Sequence, residues 1–137
     1  MKIHPVKKSK VELPIFLESV KAGFPSPADD FIDKKLDLND LLIKHPSSTF
    51  FVRVTGDSMI GVGIHSGDLL VVDRSLEATN NNIVVAVINS ELTVKRLVIK
   101  GNEISLYPEN TNYSPINISE EDSFSVWGVV TSVIHKL

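Results

Sequence analysis

A chain of 137 residues with an apolar content of 42% has material for one ordinary hydrophobic core and no room for a second independent fold. It contains no cysteine, which excludes disulfides, thiol catalysis and thiolate metal sites together and is compatible with a reducing cytoplasm. The formal charge of −3 is uneven: Lys2, Lys7, Lys8, Lys10 and Lys21 are offset within residues 1–22 only by Glu12 and Glu18, so this segment carries +3, the remainder carries −6, and direct tight nucleic-acid binding is not expected.

Residues 1–30 read as an extended N-terminal arm, because Pro5, Pro14, Pro25 and Pro27 each remove an amide donor and disfavour helix just before them. The arm does not match a secretory signal, since Glu12, Pro14 and Glu18 interrupt its apolar stretch and Val20 is a poor fit to a small-x-small cleavage pattern. Charges or prolines also break every later apolar run before the roughly 20 residues of a membrane-spanning helix. From residue 31 to 137 a single domain is expected. Asp37 is placed to cap a short helix over Leu38 to Lys44, which Pro46 ends. Strands follow, rich in β-branched and aromatic residues: Phe50 to Thr55, Leu69 to Asp73, Ile83 to Asn89, Leu92 to Ile99, Glu103 to Tyr107 and Phe124 to Ile134. Gly, Asn, Asp and Pro separate them, and the resulting class is mainly β and antiparallel. Tyr113, Ile116 and Ile118, in the loop before the last strand, suit core or interface equally.

Three features bear on chemistry. In Val54-Thr55-Gly56-Asp57-Ser58-Met59 a serine follows a Gly-Asp turn at a strand end, where its hydroxyl can project into a cleft while the Asp57 and Ser58 backbone N–H groups converge as an oxyanion hole. The same three residues are also an ordinary turn composition. A serine needs a base, and Lys95, within Leu92-Thr93-Val94-Lys95-Arg96-Leu97-Val98, would lose solvation in its charged form and so supply a neutral amine. Periodicity alone favours Lys95 on a solvent-facing side of the sheet, where it and Arg96 merely alternate with the core. Finally, Ala22-Gly23 is a small, open peptide bond in the arm, suited to entering a cleft as an extended strand, or else part of a plain linker. The four histidines, His4, His45, His65 and His135, are far apart in sequence and show no ligand spacing, so no metal and no cofactor is expected.

In order and sequence these three segments resemble the LexA/UmuD family of self-cleaving Ser-Lys peptidases, peptidase family S24. The resemblance extends from about Pro14 to the C-terminus. It is nearest to the UmuD branch through Gly23-Phe24-Pro25-Ser26-Pro27, Asp37-Leu38-Asn39, Leu41-Leu42-Ile43, His45-Pro46-Ser47-Ser48 and Gly67-Asp68-Leu69-Leu70-Val71-Val72-Asp73. Ala22 departs from the cysteine often found before the scissile glycine in that branch and is similar to LexA. The repressors of the family carry a helix-turn-helix domain ahead of the arm, for which this chain has no room. The resemblance implies LexA/signal-peptidase-like antiparallel sheets in a half-open barrel, with Ser58 as nucleophile, Lys95 as base and Ala22-Gly23 as the bond cut. It further implies a cytoplasmic SOS-response protein stimulated by a RecA filament on single-stranded DNA. The shortened homodimer would then serve a UmuC-type Y-family translesion polymerase. Alternatives are a non-cleaving interaction module of the same fold, a repressor-type regulator without its DNA-binding domain, and a trans-acting peptidase related to type I signal peptidases.

Overall fold

The computed structural model describes residues 3–5, 10–16, 19, 22, 23 and 32–137. The chain forms two compact units, residues 7–44 and residues 45–137 together with the first six residues. In the smaller unit β2 (Glu12–Phe16) and β3 (Ile32–Asp37) pair as an antiparallel ribbon, with Pro14 opposite Lys35. A two-stranded ribbon has two open edges, so a proline with no donor is accommodated there. The arm is thus partly strand rather than wholly unpaired, a difference with this simple cause. Its Pro25 and Pro27 lie outside the described residues. Helix α1 (Leu38–Leu42) follows directly, and the Asp37 carboxylate accepts from the Asn39 amide at 2.9 Å as the expected N-cap. Its C-cap is Ile43, earlier than the Pro46 stop, and Pro46–Ser48 instead begins a separate 3-10 turn.

The larger unit is an antiparallel sheet of eight strands: β1 (Ile3–Pro5), β4 (Thr49–Arg53), β5 (Leu69–Asp73), β6 (Ile83–Ile88), β7 (Glu91–Lys100), β8 (Glu103–Tyr107), β9 (Ile116–Asn117) and β10 (Phe124–Ile134). Their hydrogen-bonded order is β1-β4-β5-β10-β6-β7-β8-β9, so the last strand of the chain runs through the middle. The expected strands form within a residue or two of their sequence boundaries, and β1 and β9 are additional. The β6–β7 hairpin turns through Asn89 and Ser90, both at positive φ, which is the geometry of a two-residue loop matched to strand twist.

Period-two alternation divides the apolar side chains between two clusters. Val84 and Ala86 of β6 join Leu97, Leu106 and Val129, whereas Val85 between them joins Val52, Val54, Met59, Ile64, Leu70, Val72 and Val94. The second group contains Val52 of β4 and Val94 of β7, which stand four places apart in the sheet. In a flat sheet four steps span about 19 Å, so the sheet is rolled. β1 and β9 are its two ends and do not pair, which leaves the roll open.

The roll is made at β10. Its first half pairs with β6 and its second half with β5, with register shifts between Val126 and Gly128 and between Val130 and Ser132. Only Val129 pairs on both sides. Bulges of this kind bend a strand and increase its twist. Gly128 fits here because an added Cβ would lie 2.6 Å from Cγ1 of Val72, a side chain with no exposure.

Candidate active site

After β4 the chain must leave the sheet and turn back, and Gly56, at φ +93°, takes a left-handed conformation that a side chain would strain. The Gly56 amide donates to Oγ of Ser66 at 3.1 Å, and the buried Met59 anchors the far side of the turn in the core. Ser58 is held between these two points, half-buried. Among the described residues neither the Asp57 nor the Ser58 amide donates to a protein acceptor, although their carbonyls are both used: Asp57 O accepts from Ile60 N and Asn110 Nδ2, and Ser58 O accepts from Glu109 N at 2.8 Å.

Lys95 lies in β7 opposite Val84, with Thr93 and Leu97 on its own face. The β7–β8 ladder ends at Arg96 opposite Tyr107, one residue short of Lys95. Pro108 follows Tyr107 and has no N–H with which to continue. The chain instead diverges into the 108–115 loop, and the Ser58 turn bonds to that loop. Lys95 is 9% exposed, and its Nζ donates to Ser58 Oγ at 3.1 Å, to Thr93 Oγ1 at 2.9 Å and to Val94 O at 3.1 Å. Among the described residues no carboxylate is within ion-pair distance of it. Burial without a countercharge pushes the Lys95 amine below its usual pKa.

The 108–115 loop, expected as a connection before the last strand, is also a strap bonded to the Ser58 turn. Glu109 bonds to the Ser58 turn through its own N–H and through its carbonyl, which accepts from Gly61 N at 2.7 Å. Its carboxylate pairs with Arg96 Nε at 2.5 Å, the residue next to Lys95. Tyr113, left open between core and interface, is exposed and donates to Asp57 Oδ1 at 2.6 Å, which pushes the phenol pKa up. Ile116 and Ile118 pack against the Leu106 cluster. The only sequence signal for the strap was Pro108 directly after a strand.

Other residues singled out in the sequence stand as follows. Ala22 and Gly23 form an exposed bend in the 7–44 unit, with nothing within 4 Å of a Cβ built on Gly23. Lys21 and Phe24 lie outside the described residues. His45 Nδ1 contacts Asp73 Oδ2 at 2.5 Å. Although far apart in sequence, His65 and His135 stack with ring centroids 4.6 Å apart beside Asp68, a cluster that spacing along the chain does not show.

The rolled antiparallel sheet brings a serine on a glycine turn against a buried lysine, and comparison with known proteins gives the chain's class, a peptidase-type β domain. Residues 14–131 match the model of the Peptidase S24-like family. The chain is 49% identical to Protein SamA of Salmonella typhimurium over 123 residues, 90% of this chain and 85% of that relative. It is 45% identical to Protein MucA of Escherichia coli (87% and 82%) and 43% identical to Protein ImpA of Shigella flexneri (90% and 83%). The chain belongs to the Peptidase S24-like family.

Proposed function

We propose that the protein is a self-cleaving serine endopeptidase, with Ser58 as nucleophile, Lys95 as general base and the Ala22-Gly23 bond as substrate. The observation that carries this reading is the 3.1 Å contact between Ser58 Oγ and a lysine amine that is buried and unpaired by any described carboxylate. With Lys95 neutral the hydrogen bond reverses, and the Ser58 hydroxyl donates to Nζ. As Oγ attacks the Ala22 carbonyl carbon its proton passes to Nζ, and the oxyanion is received by the Asp57 and Ser58 amides. Collapse breaks the C–N bond, with Nζ returning the proton to the Gly23 amine. Lys95 then takes a proton from water, whose oxygen attacks the Ala22 ester, and Nζ hands that proton to Ser58 Oγ as it leaves, freeing the Ala22 carboxyl end. A scissile bond on the same polypeptide replaces a bimolecular encounter by an internal one.

In this reading a RecA filament on single-stranded DNA stabilises the conformer in which the arm occupies the cleft. The product beginning at Gly23 works as a cytoplasmic homodimer with a UmuC-type Y-family polymerase in SOS mutagenesis. The homodimer is supported by the exposed apolar side chains Leu38 and Leu41, which remain in that product and which a second copy would cover. The test is mass spectrometry of the full chain at alkaline pH, with and without RecA filament. One cut between Ala22 and Gly23 is expected, absent in Ser58→Ala. A cut that persists in Ser58→Ala, or an intact wild type under both conditions, refutes the reading.

A further inference from the structure

The rolled sheet brings together three side chains that the chemistry above does not use. Asp68 closes the turn between Ser66 and β5 and is 4% exposed. Its Oδ2 accepts from the His65 amide at 2.7 Å, and its Oδ1 faces His135 Nδ1 at 2.6 Å. His65 Nδ1 stands 3.7 Å from Oδ2. His135 follows directly on β10, whose last paired residue, Ile134, lies opposite Leu69, so the end of the central strand delivers it to this turn. One ligand atom from each of His65, Asp68 and His135 lies within 4.8 Å of the others.

The geometry points to a metal-binding site at His65, Asp68 and His135 for a borderline divalent transition ion, with Zn2+ as the reference occupant. Two imidazoles and one carboxylate suit Zn2+, and harder ions such as Mg2+ prefer oxygen ligands alone. Zinc bonds of about 2.0–2.2 Å put neighbouring ligand atoms about 3.3 Å apart in a tetrahedron, so the present spread, within 4.8 Å, must tighten on binding. The carboxylate is fixed by burial and by the His65 amide. The rings are the parts free to adjust, with side chains 45% and 42% exposed. Each carboxylate oxygen keeps a second lone-pair direction beyond the bond it already accepts. The ion would replace the proton between His135 Nδ1 and Asp68 Oδ1 and leave its fourth position to water. Arg53 and Lys136 line the adjoining cavity, and their charge moderates the affinity. The occupied site would fasten the end of β10 to the turn whose Ser66 holds Gly56.

The experiment is calorimetric titration of the full chain with ZnCl2, accompanied by Zn2+-dependent shifts of the histidine ring resonances. One ion per chain is expected, with affinity at least roughly tenfold weaker in His65→Gln and in His135→Gln, an upward shift of the thermal midpoint, and no response to Mg2+. Should either variant misfold, the wild-type ring spectrum decides, because His65 and His135 alone should respond. No saturable binding, unchanged binding in the double variant, or responses confined to His4 or His45 would each overturn the assignment.

Discussion

Lys95 is buried with two hydroxyls and a carbonyl for company, so its charge is carried at a cost that its position in a catalytic pair would explain. Its folded pKa lies below the ordinary 10.5, which makes the folded state bind fewer protons than the unfolded one between the two values. The penalty is therefore complete below the folded pKa and is relieved as pH rises towards 10.5. Lys95→Met should abolish cleavage yet raise stability at pH 7 by about 1 kcal/mol, a gain that shrinks at alkaline pH; parallel urea titrations at the two pH values measure it. The cleavage rate of the wild type should climb about tenfold per pH unit while Lys95 is mostly charged and level off below pH 10.5. A rate independent of pH would exclude a lysine base. Ser58 and Lys95 were singled out through the family resemblance, because locally a Gly-Asp-Ser turn is ordinary turn composition and a lysine in an alternating strand more often faces solvent. The His65 and His135 pair was not, since a separation of seventy residues says nothing until β10 is threaded through the centre of the sheet.

At the scale of elements, the strap and the bulged strand each have a glycine that tests them. A Cβ on Gly61 would lie 2.6 Å from the Glu109 carbonyl oxygen, which has no flexible end to move aside. Gly61→Ala should push the strap off the Ser58 turn and slow self-cleavage by roughly a hundredfold, as a misplacement of about 1 Å does, with a much smaller change in the denaturation midpoint. Gly128→Ala instead meets a core side chain and should lower stability by about 1–3 kcal/mol, read as a lower urea midpoint at unchanged slope. Strands β4 to β8 and β10 were readable because β-branched runs alternate with turn residues. Strands β1 and β2 were not, because Pro5 and Pro14 argue against strand wherever an edge position is unknown, and β3, Ile-Asp-Lys-Lys-Leu-Asp, has no β-branched run to mark it. The 108–115 loop was expected, but not its role, which lies in backbone groups of Glu109 that any residue but proline supplies.

For the whole molecule, acid is the expected weak point. Burial pushes the Asp68 carboxyl up, but the His65 amide and the His135 ring outweigh it; at Asp73 burial is likewise outweighed, by Ser75 and His45. Both carboxyls end below the ordinary 3.8, so their stabilisation is present above that value and lost as pH falls through the lower folded values. The urea midpoint should hold at mildly acid pH and drop steeply below about pH 4. The sheet's roll has one more consequence. The alcohol hangs from the β4–β5 side and the amine from the β6–β7 side, and the two halves share a one-residue spine at Val129. Like the covers of a book, they meet only at the angle the binding allows. A chain whose spine is slackened, as in Gly128→Ala, should on warming stop cutting itself several degrees before its circular dichroism reports melting.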